Sequence, residues 1–572
     1  MAEKILQVKD LNVSFPTSTE HFHAVKGVSF DLYKGETLSV IGESGSGKSV
    51  TSSAIMQLLD RPGRIDSGEI LLTTDSGQII DITQIDPRSK EMRALRCFSF
   101  SLVSQEPMAA LSPVHTVGDQ IKEVLCLVDP SISKKSAHER TVELLTQVQM
   151  PEPESLINKY SFELSGGQRQ RVVIAMAIAS RPDILIADEP TTALDVTTQA
   201  EILALFSQLQ KEIGMAILFI THDLGVVAQI SDRVAVMEKG ILVECGSVRQ
   251  IFEQPEHPYT IKLMHATRAL EEPSKVKKPF SLIEGENDQP ILDVISVTKQ
   301  FEKPAKMFQK KQIMTAVDDA NLVLHPGESL GIVGESGSGK STLGRAILGM
   351  APATSGSIQY VDKQGKVELE LSDYKRIKRD PLFADLRLIF QDPWSSLNPR
   401  MTVFDIIEEP LKLLRSEMSS KQREERVRNM MKWVGLPPEF SSRFPHAFSG
   451  GQRQRIVIAR ALVTLPKVVI ADEATAALDV SLRSQVLDLL IEFQNTYGTA
   501  FILITHDIAT VKYFCDRVIV LQHGKIVEQG SVNEVIHNPQ QPYTRELISA
   551  VPVAELPPEI ELSPNKGVQA SM

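Results

Sequence analysis

The sequence lacks the features that mark several classes of protein. Its longest apolar runs, such as Val172–Ala179, fall well short of the roughly 20 residues that span a bilayer, and no signal peptide follows Met1. The cysteines stand far apart and form no CxxC pair, zinc spacing or disulfide framework: Cys97, Cys126, Cys245 and Cys515. We interpret them as small buried hydrophobic residues rather than redox groups. Together these absences predict a cytosolic chain.

Excess positive charge is also missing. The sequence has 61 basic and 72 acidic residues, a net charge of −11, whereas a duplex-DNA binder usually carries a basic face. We therefore expect no nucleic-acid partner. Hydrophobic residues make up 42% and charged residues 23%, which is typical of a globular protein and excludes collagen-like and disordered chains. The length of 572 residues exceeds the roughly 250–300 that one core supports, which predicts at least two domains.

An internal duplication defines those domains. Short blocks recur in the same order: GESGSGKS at 42–49 and 334–341, SGGQRQR at 165–171 and 449–455, IADE at 186–189 and 470–473, ALDV at 193–196 and 477–480, ITHD at 220–223 and 504–507, and PYT at 258–260 and 542–544. The offset is 292 residues between Lys48 and Lys340 and 284 between His222 and His506. We predict a first domain at 1–270, a linker at 271–290, a second domain at 291–556 and a tail at 557–572.

The first repeated block has the pattern of a phosphate-binding loop. An apolar strand is predicted at 37–41 and helical character at 50–59, the context that the G-x4-G-K-[ST] motif requires. Glycines let backbone N–H groups converge on phosphate oxygens, and the helix N-terminus faces the same anion. The predicted nucleotide-binding residues are Gly42, Ser44, Gly45, Gly47, Lys48, Ser49 and Val50, with Gly334, Ser336, Gly337, Gly339, Lys340, Ser341 and Thr342 in the repeat.

Acidic residues and a histidine follow two apolar runs. The run 184–187 ends in Asp188 and Glu189, and the run 216–220 leads to His222; the repeat has Asp472, Glu473 and His506. Because ligands bind at the carboxyl ends of parallel strands, we expect these groups to meet at a γ-phosphate. Asp188 and Asp472 would face Mg²⁺ beside Ser49 and Ser341, and the glutamates would polarise the attacking water.

The SGGQ blocks add a family resemblance. Residues 164–168 and 448–452 resemble the signature loop of ABC-type ATPases, and with the other motifs the resemblance covers almost the whole chain. It implies two tandem α/β nucleotide-binding domains, each with a mixed sheet core and a helical subdomain, that pair head to tail around two ATP molecules. The signature residues Ser165, Gly166, Gly167 and Gln168 would then close on the second phosphate loop, and Ser449, Gly450, Gly451 and Gln452 on the first.

The same resemblance assigns further positions. Gln105 and Gln391 correspond to the loop glutamine that senses Mg²⁺ and the permease, and Asp195 and Asp479 to acidic residues that cross the dimer. Phe15 and Phe301 stand where an aromatic residue stacks on adenine, with core packing as the alternative role. Both halves keep the full set of reactive residues, although Ala474 replaces the proline found at Pro190. Two competent ATP sites are therefore predicted.

The segments around Gln105 and after each domain are similar to one branch of that family. Residues 106–113, 392–399, 257–260 and 541–544 resemble the ATP-binding subunits of oligopeptide, dipeptide, nickel and glutathione importers, with a fused arrangement like that of the glutathione branch. The resemblance implies two permease subunits, a periplasmic or lipid-anchored binding protein, and a peripheral location on the cytoplasmic face of the bacterial inner membrane. The cysteine cluster of some relatives is missing, so we expect no iron–sulfur cluster.

Another class of protein carries two such cassettes. A soluble tandem ATPase that acts on ribosomes or nucleic acid without a permease is the alternative. Such factors have a long charged linker, whereas residues 271–290 are short and of mixed charge. The transported solute is left open by the sequence, because ATPase subunits do not contact the cargo.

Overall fold

The structure is a computed structural model that describes residues 3–16, 21–74, 76–192, 194–269, 289–303, 312–362, 365–369, 384–390, 393–475, 478 and 480–556. Most of the predicted linker and the whole predicted tail lie outside the described residues, as do Gln391 and Asp479. The domain boundaries therefore stay predictions.

The first half alternates strands and helices around two sheets. Its elements are β1 (Lys4–Pro16), β2 (His21–Tyr33), β3 (Thr37–Ile41), α1 (Lys48–Ile55), β4 (Arg64–Thr73), β5 (Ile79–Asp81), α2 (Lys90–Phe98), β6 (Phe100–Val103), α3 (Pro107–Ala110), α4 (Val117–Val128), α5 (Lys134–Gln147), α6 (Pro153–Leu156), α7 (Gly166–Ile178), β7 (Ile184–Asp188), α8 (Val196–Ile213), β8 (Ala216–Ile220), α9 (Leu224–Ile230), β9 (Arg233–Glu238), β10 (Ile241–Ser247), α10 (Val248–Glu253) and α11 (Pro258–Ala269).

The second half repeats this order. Its elements are β11 (Leu292–Lys303), β12 (Gln312–Leu324), β13 (Ser329–Val333), α12 (Lys340–Ile347), β14 (Ser355–Asp362), β15 (Gly365–Leu369), β16 (Leu386–Ile389), α13 (Pro393–Ser396), α14 (Val403–Leu414), α15 (Ser420–Trp433), α16 (Gly450–Leu462), β17 (Val468–Asp472), α17 (Val480–Tyr497), β18 (Ala500–Ile504), α18 (Ile508–Phe514), β19 (Arg517–Gln522), β20 (Lys525–Ser531), α19 (Val532–His537) and α20 (Pro542–Ser549).

Each half contains a six-stranded sheet in which β10 and β20 alone run antiparallel. The orders are β10-β9-β3-β8-β7-β6 and β16-β17-β18-β13-β19-β20. The central strands β3, β8, β13 and β18 are buried along their whole length, as continuous apolar runs in parallel sheets require. Antiparallel four-stranded sheets, β2-β1-β4-β5 and β12-β11-β14-β15, pack on one face through shared apolar clusters. The α/β fold with mixed sheets is confirmed.

Helices inserted between β6 and β7 form the helical subdomain of the first half. The long helix α7 carries buried residues on most of its surface, because α3, α4 and α5 pack around it. This arrangement brings the start of α7 to a surface position, where Ser165 and Gly166 are exposed. In the second half α13, α14 and α15 surround α16 in the same way.

The two halves exchange contacts through their C-terminal helices. Helix α11 of the first half packs against α17 of the second, and α20 of the second packs against α8 of the first. The segment Val551–Leu556 then crosses to the first half, where Ala554 and Leu556 contact the apolar cluster around Leu224 and Tyr259. We call residues 551–556 the strap.

Some local predictions need correction. Helix α1 begins at Lys48 and ends at Ile55 rather than covering 50–59, because Gln57 has a left-handed φ of 51° that stops the helix. The interpretation of all four cysteines as buried residues is wrong, since only Cys515 is buried. Cys126 and Cys245 are exposed, because they lie on the outer face of α4 and on the edge strand β10. No helix of the described residues is long and apolar enough to cross a membrane.

Candidate functional site

The phosphate loop of the first half is held by glycines that no other residue could replace without displacing backbone. Gly42 and Gly47 have φ of 150° and 99°, in the region that L side chains rarely adopt. A Cβ at Gly42 would lie 2.2 Å from the carbonyl oxygen of Met237, and one at Gly47 would lie 2.6 Å from that of Ala24. The loop therefore wraps closely over neighbouring backbone.

The second loop has the same geometry. Gly334 and Gly339 have φ of 148° and 105°, and a Cβ at either would lie 2.2 Å from a carbonyl oxygen, that of Leu521 or Ala316. The turn precedes α12 as the first loop precedes α1, so each loop offers backbone N–H groups and a helix N-terminus for an anion.

Each loop contains a buried lysine ammonium. The Nζ of Lys48 donates to the carbonyl oxygens of Gly42 at 2.8 Å and Glu43 at 3.0 Å, and Lys340 makes the same two contacts at 2.7 Å each. Burial lowers the pKa of Lys340, although nearby carboxylates oppose the shift. A buried cation that contacts neutral carbonyls of its own loop fits an anionic ligand such as a phosphate chain.

A serine and an aspartate lie together beside each lysine. The Oγ of Ser49 donates to Asp188 at 3.0 Å, and the Oγ of Ser341 donates to Asp472 at 2.8 Å. Burial raises the pKa of both aspartates, with the adjacent glutamates adding to the shift and the serine bonds opposing it. A hydroxyl and a carboxylate at this spacing form an oxygen-rich group that fits a magnesium ion.

Three side chains contact Glu189 at the end of β7. Gln105 Nε2 donates to its carboxylate at 3.0 Å, Thr192 Oγ1 donates at 3.1 Å, and His222 Nδ1 lies 3.3 Å away. Burial favours the protonated form, but His222, Lys48 and Thr192 outweigh it and lower the pKa of Glu189. The structure thus favours the ionised form of this half-buried carboxylate, as a group that accepts a proton requires.

The second half repeats the histidine–glutamate pair. His506 Nδ1 lies 3.2 Å from Glu473, whose pKa is lowered because His506 and Lys340 outweigh burial. Both glutamates have left-handed φ, 45° at Glu189 and 48° at Glu473, which L residues adopt only at a cost of about 1–3 kcal/mol. Their N–H groups donate to the carbonyl oxygens of Ile220 and Ile504 across the sheet, which holds the unfavourable conformation.

The signature blocks form helix caps. Ser165 Oγ accepts from the N–H of Gln168, whose side chain accepts from the Ser165 N–H, and Ser449 and Gln452 form the same capping box. Serine and glutamine therefore have a local structural role. The second of the two glycines is constrained by packing in both halves, because a Cβ at Gly167 would lie 2.3 Å from Thr198 Cγ2 and one at Gly451 would lie 2.7 Å from Leu482 Cδ1. Ser165 and Gly166 stay exposed for a ligand.

Residues from both halves meet at the sites. A cavity of about 360 Å³ is lined by the first phosphate loop, Gln105, Glu189 and His222, and also by Leu478 of the second half. At the second site Asp195, which caps the N-terminus of α8 in the first half, opposes the pKa lowering of Lys340. A further cavity of about 330 Å³ between the halves is lined by both histidines and by the strap.

The two predicted stacking residues differ in environment. Phe15 is partly buried and packs against the first-half core, where its ring lies 2.6 Å from a Cβ placed at Gly63. Phe301 is 40% exposed, with Lys299 Nζ 5.0 Å from its ring centroid. Stacking on adenine stays a prediction for both.

Comparison with known proteins agrees with this architecture. The model of the ABC transporter family matches residues 25–192 and 317–476, and that of the oligopeptide/dipeptide transporter C-terminal region matches residues 243–291 and 527–571. The chain belongs to the ABC transporter family and is an ATP-hydrolysing, ATP-binding subunit of an importer. The resemblance noted from the sequence and the assigned enzyme class are confirmed, and the permease-free tandem ATPase is not favoured.

Curated relatives extend over nearly the whole chain. The Glutathione import ATP-binding protein GsiA of Shigella flexneri and its counterpart in Escherichia coli (strain K12) are each 44% identical over 97% of this chain and 90% of their own length. Among solved structures, the dimeric structure of MJ0796, a bacterial ABC transporter cassette, is 28% identical and covers 43% of this chain and 99% of its own, with a TM-score of 0.38.

Proposed function

We propose that this chain couples ATP hydrolysis to the import of glutathione or a related small peptide. The two ATP sites between the halves close when ATP binds and open after hydrolysis, and two permease subunits convert that motion into alternating access. A periplasmic or lipid-anchored binding protein delivers the solute, and the chain lies peripherally on the cytoplasmic face of the bacterial inner membrane. The two relatives named for glutathione import, and the match to the oligopeptide/dipeptide C-terminal region, support this assignment.

The phosphate loops bind the ATP phosphates in this proposal. Lys48 and Lys340 exchange the carbonyl oxygens they now contact for β- and γ-phosphate oxygens, which better compensate a buried charge. Mg²⁺, when bound, would neutralise part of the phosphate charge. Ser49, Asp188 and Gln105 would hold it at the first site, and Ser341, Asp472 and Gln391 at the second.

Hydrolysis in this proposal uses the ionised glutamates. Glu189 and Glu473 orient and polarise the attacking water, because their lowered pKa keeps them able to accept a proton. His222 and His506 hold those carboxylates and face the γ-phosphate. Gln105 donates a hydrogen bond to Glu189 and would also be one of the groups that hold Mg²⁺, so one side chain would serve both the base and the metal site.

Each site is completed by the opposite half. The signature residues 449–452, of which Ser449 and Gly450 are exposed, close on the ATP at Lys48, and residues 165–168 close on the ATP at Lys340. The cavity that joins Lys48, Glu189 and His222 to Leu478 is the observation that carries this arrangement. Asp195 supports it at the other site through its charge near Lys340, and Asp479 is its counterpart.

Reconstituted transport tests the proposal. The chain would be purified with its permease subunits, inserted in proteoliposomes and supplied with labelled glutathione and a binding protein. We expect uptake that requires ATP and is lost in the Lys48→Ala/Lys340→Ala double variant. Co-purification of the chain with ribosomes instead of membrane proteins, together with ATP turnover that no membrane protein affects, would contradict it.

A further inference from the structure

The two Pro-Tyr-Thr segments lie against the phosphate loops. The hydroxyl oxygen of Tyr259 accepts a hydrogen bond from the N–H of Glu43, and that of Tyr543 accepts one from the N–H of Glu335, both at 3.0 Å. These tyrosines are only 7% and 8% exposed, and each stands in the first turn of its helix, α11 or α20. The same contact therefore occurs in both halves, over 216 and 208 residues of sequence.

A half-buried glutamate on the edge strand of each six-stranded sheet fixes the start of the helix that carries the tyrosine. Glu244 on β10 accepts from the N–H groups of Glu256 at 2.9 Å and His257 at 3.0 Å. Glu528 on β20 accepts from Gln540 at 2.8 Å and Gln541 at 3.1 Å. Those hydrogen bonds satisfy backbone donors beside the helix N-terminus, so the position of each tyrosine ring is set by the neighbouring sheet rather than by the phosphate loop.

The tyrosine and the lysine of each half hydrogen-bond different backbone groups of the same loop residue. In the first half, the N–H of Glu43 is held by Tyr259 and its carbonyl oxygen by Lys48. When Lys48 binds a phosphate, its hydrogen bond to the Glu43 carbonyl oxygen is lost, whereas the hydrogen bond between the Glu43 N–H and Tyr259 remains. The loop then loses less conformational entropy when the nucleotide binds, and a preorganised site binds its ligand more tightly.

We propose that Tyr259 and Tyr543 are positioning residues that hold the phosphate loops ready for nucleotide, so that the C-terminal regions of the two halves contribute directly to ATP affinity. The proposal rests on the assignment of these loops as the ATP sites. The tyrosines do not touch the reacting atoms; they act through the backbone of Glu43 and Glu335.

In the second half, the loop residue bound by the tyrosine also contacts the first half. Glu335, whose backbone Tyr543 holds, also has its carboxylate 3.0 Å from the hydroxyl of Thr197 in the first half. Burial raises the pKa of Tyr543 to about 12, and its neutral hydroxyl oxygen accepts from the Glu335 N–H. Tyr543 thus holds the loop residue that contacts the opposite half.

Phenylalanine variants of the full chain test the proposal, since they remove only the hydroxyl. Binding of a fluorescent ATP analogue and steady-state ATPase would be measured for Tyr259→Phe, Tyr543→Phe and the double variant. We expect the double variant to raise the nucleotide Kd and the KM for ATP about five-fold, the effect of one net hydrogen bond, with kcat within about two-fold of wild type. Each single variant should weaken one of the two sites and give biphasic binding.

Tyr360→Phe is the matched control. Tyr360 is fully buried in β14 and its hydroxyl donates to Asp385 at 3.2 Å, away from the phosphate loops. It should leave the Kd unchanged. An unchanged Kd in the double variant would overturn the proposal, as would a fall in kcat with an unaltered KM, or a weakening equally produced by Tyr360→Phe. Failure of the wild-type chain to bind the analogue would instead contradict the ATP-site assignment.

Discussion

Thr197 in the first half lies with its hydroxyl 3.0 Å from the carboxylate of Glu335 in the phosphate loop of the second half. The same hydroxyl is 2.8 Å from Asp195, which begins helix α8. A single hydroxyl proton is therefore shared between two carboxylates, one from each half. This contact connects the start of α8 with the phosphate loop of the opposite half.

Replacing Thr197 with valine should remove the hydrogen bond between the halves at the second site and lower ATPase activity. Valine keeps the branched shape but leaves Asp195 and Glu335 without the bridging donor. We expect steady-state ATPase to fall about two- to five-fold, the scale of one hydrogen bond of about 0.5–1 kcal/mol. Thr197→Ser, which retains the hydroxyl, should keep near wild-type turnover. Equal losses in both variants would mean that side-chain packing, not the hydroxyl, matters.

The proposed general bases can be tested separately from nucleotide binding. Glu189→Gln with Glu473→Gln should leave ATP binding intact, since Lys48 and Lys340 hydrogen-bond backbone carbonyl oxygens of their own loops, which these substitutions retain. Hydrolysis should fall about 100- to 10,000-fold, as expected for loss of a general base. Rapid-quench measurement of phosphate release with equilibrium binding of the analogue checks both. Turnover close to wild type in the double variant would exclude this role.

An ion pair in the second half has no counterpart at the matching positions of the first half, which predicts different contributions to the stability of the two halves. Arg483 contacts Asp507, the residue that caps α18, whereas the first half has Gln199 beside Asp223. Burial disfavours the ionised form of Asp507, but Arg483 and Thr510 outweigh it and lower its pKa. Arg483→Gln should therefore destabilise the second half by about 1 kcal/mol, a modest value because the two side chains are 17% and 22% exposed.

The pH dependence of that loss has a defined sign. A lowered pKa in the folded state contributes stability above the ordinary pKa of about 4 and loses it as the pH falls through the lowered value. The difference between wild type and Arg483→Gln should be constant from about pH 8 to 5 and shrink below about pH 4. Calorimetry of the full chain measures it. Gln199→Arg, the reciprocal change, should cause no loss; a difference that grows towards acid pH would contradict the assignment.

The strap should be sensitive to a single methyl group. A Cβ at Gly225 would lie 2.6 Å from the carbonyl oxygen of Pro552, yet Gly225 is helical, where alanine is favoured by about 1 kcal/mol. Gly225→Ala should thus improve α9 locally and displace the strap. We expect faster hydrogen exchange at the amides of residues 551–556. Ala509→Gly at the equivalent position of the second half is the control, and unchanged exchange in Gly225→Ala would refute the contact.

The sequence was sufficient to predict that Glu189 and His222 lie close together, because their placement depends on local patterns. Apolar runs ending in Glu189 and His222 specify parallel strands, and parallel strands bring their carboxyl ends together. The left-handed φ of Glu189 depends on the carbonyl of Ile220 in another strand, and no local residue pattern signals it. The bond of Tyr259 to the loop was likewise missed, although the recurrence of Pro-Tyr-Thr was a signal that the segment had a role.

Fusion of the halves changes what substitution can do to their interface. A pair of identical subunits receives every mutation twice, so no change can be confined to one side of its axis. In this chain Gly225 accommodates the strap while Ala509 stands at the matching position, and Gln199 is matched by Arg483. The interface residues of the two halves can therefore differ from each other, as they can in a heterodimer. The fused chain in addition fixes the ratio of the two halves at one to one.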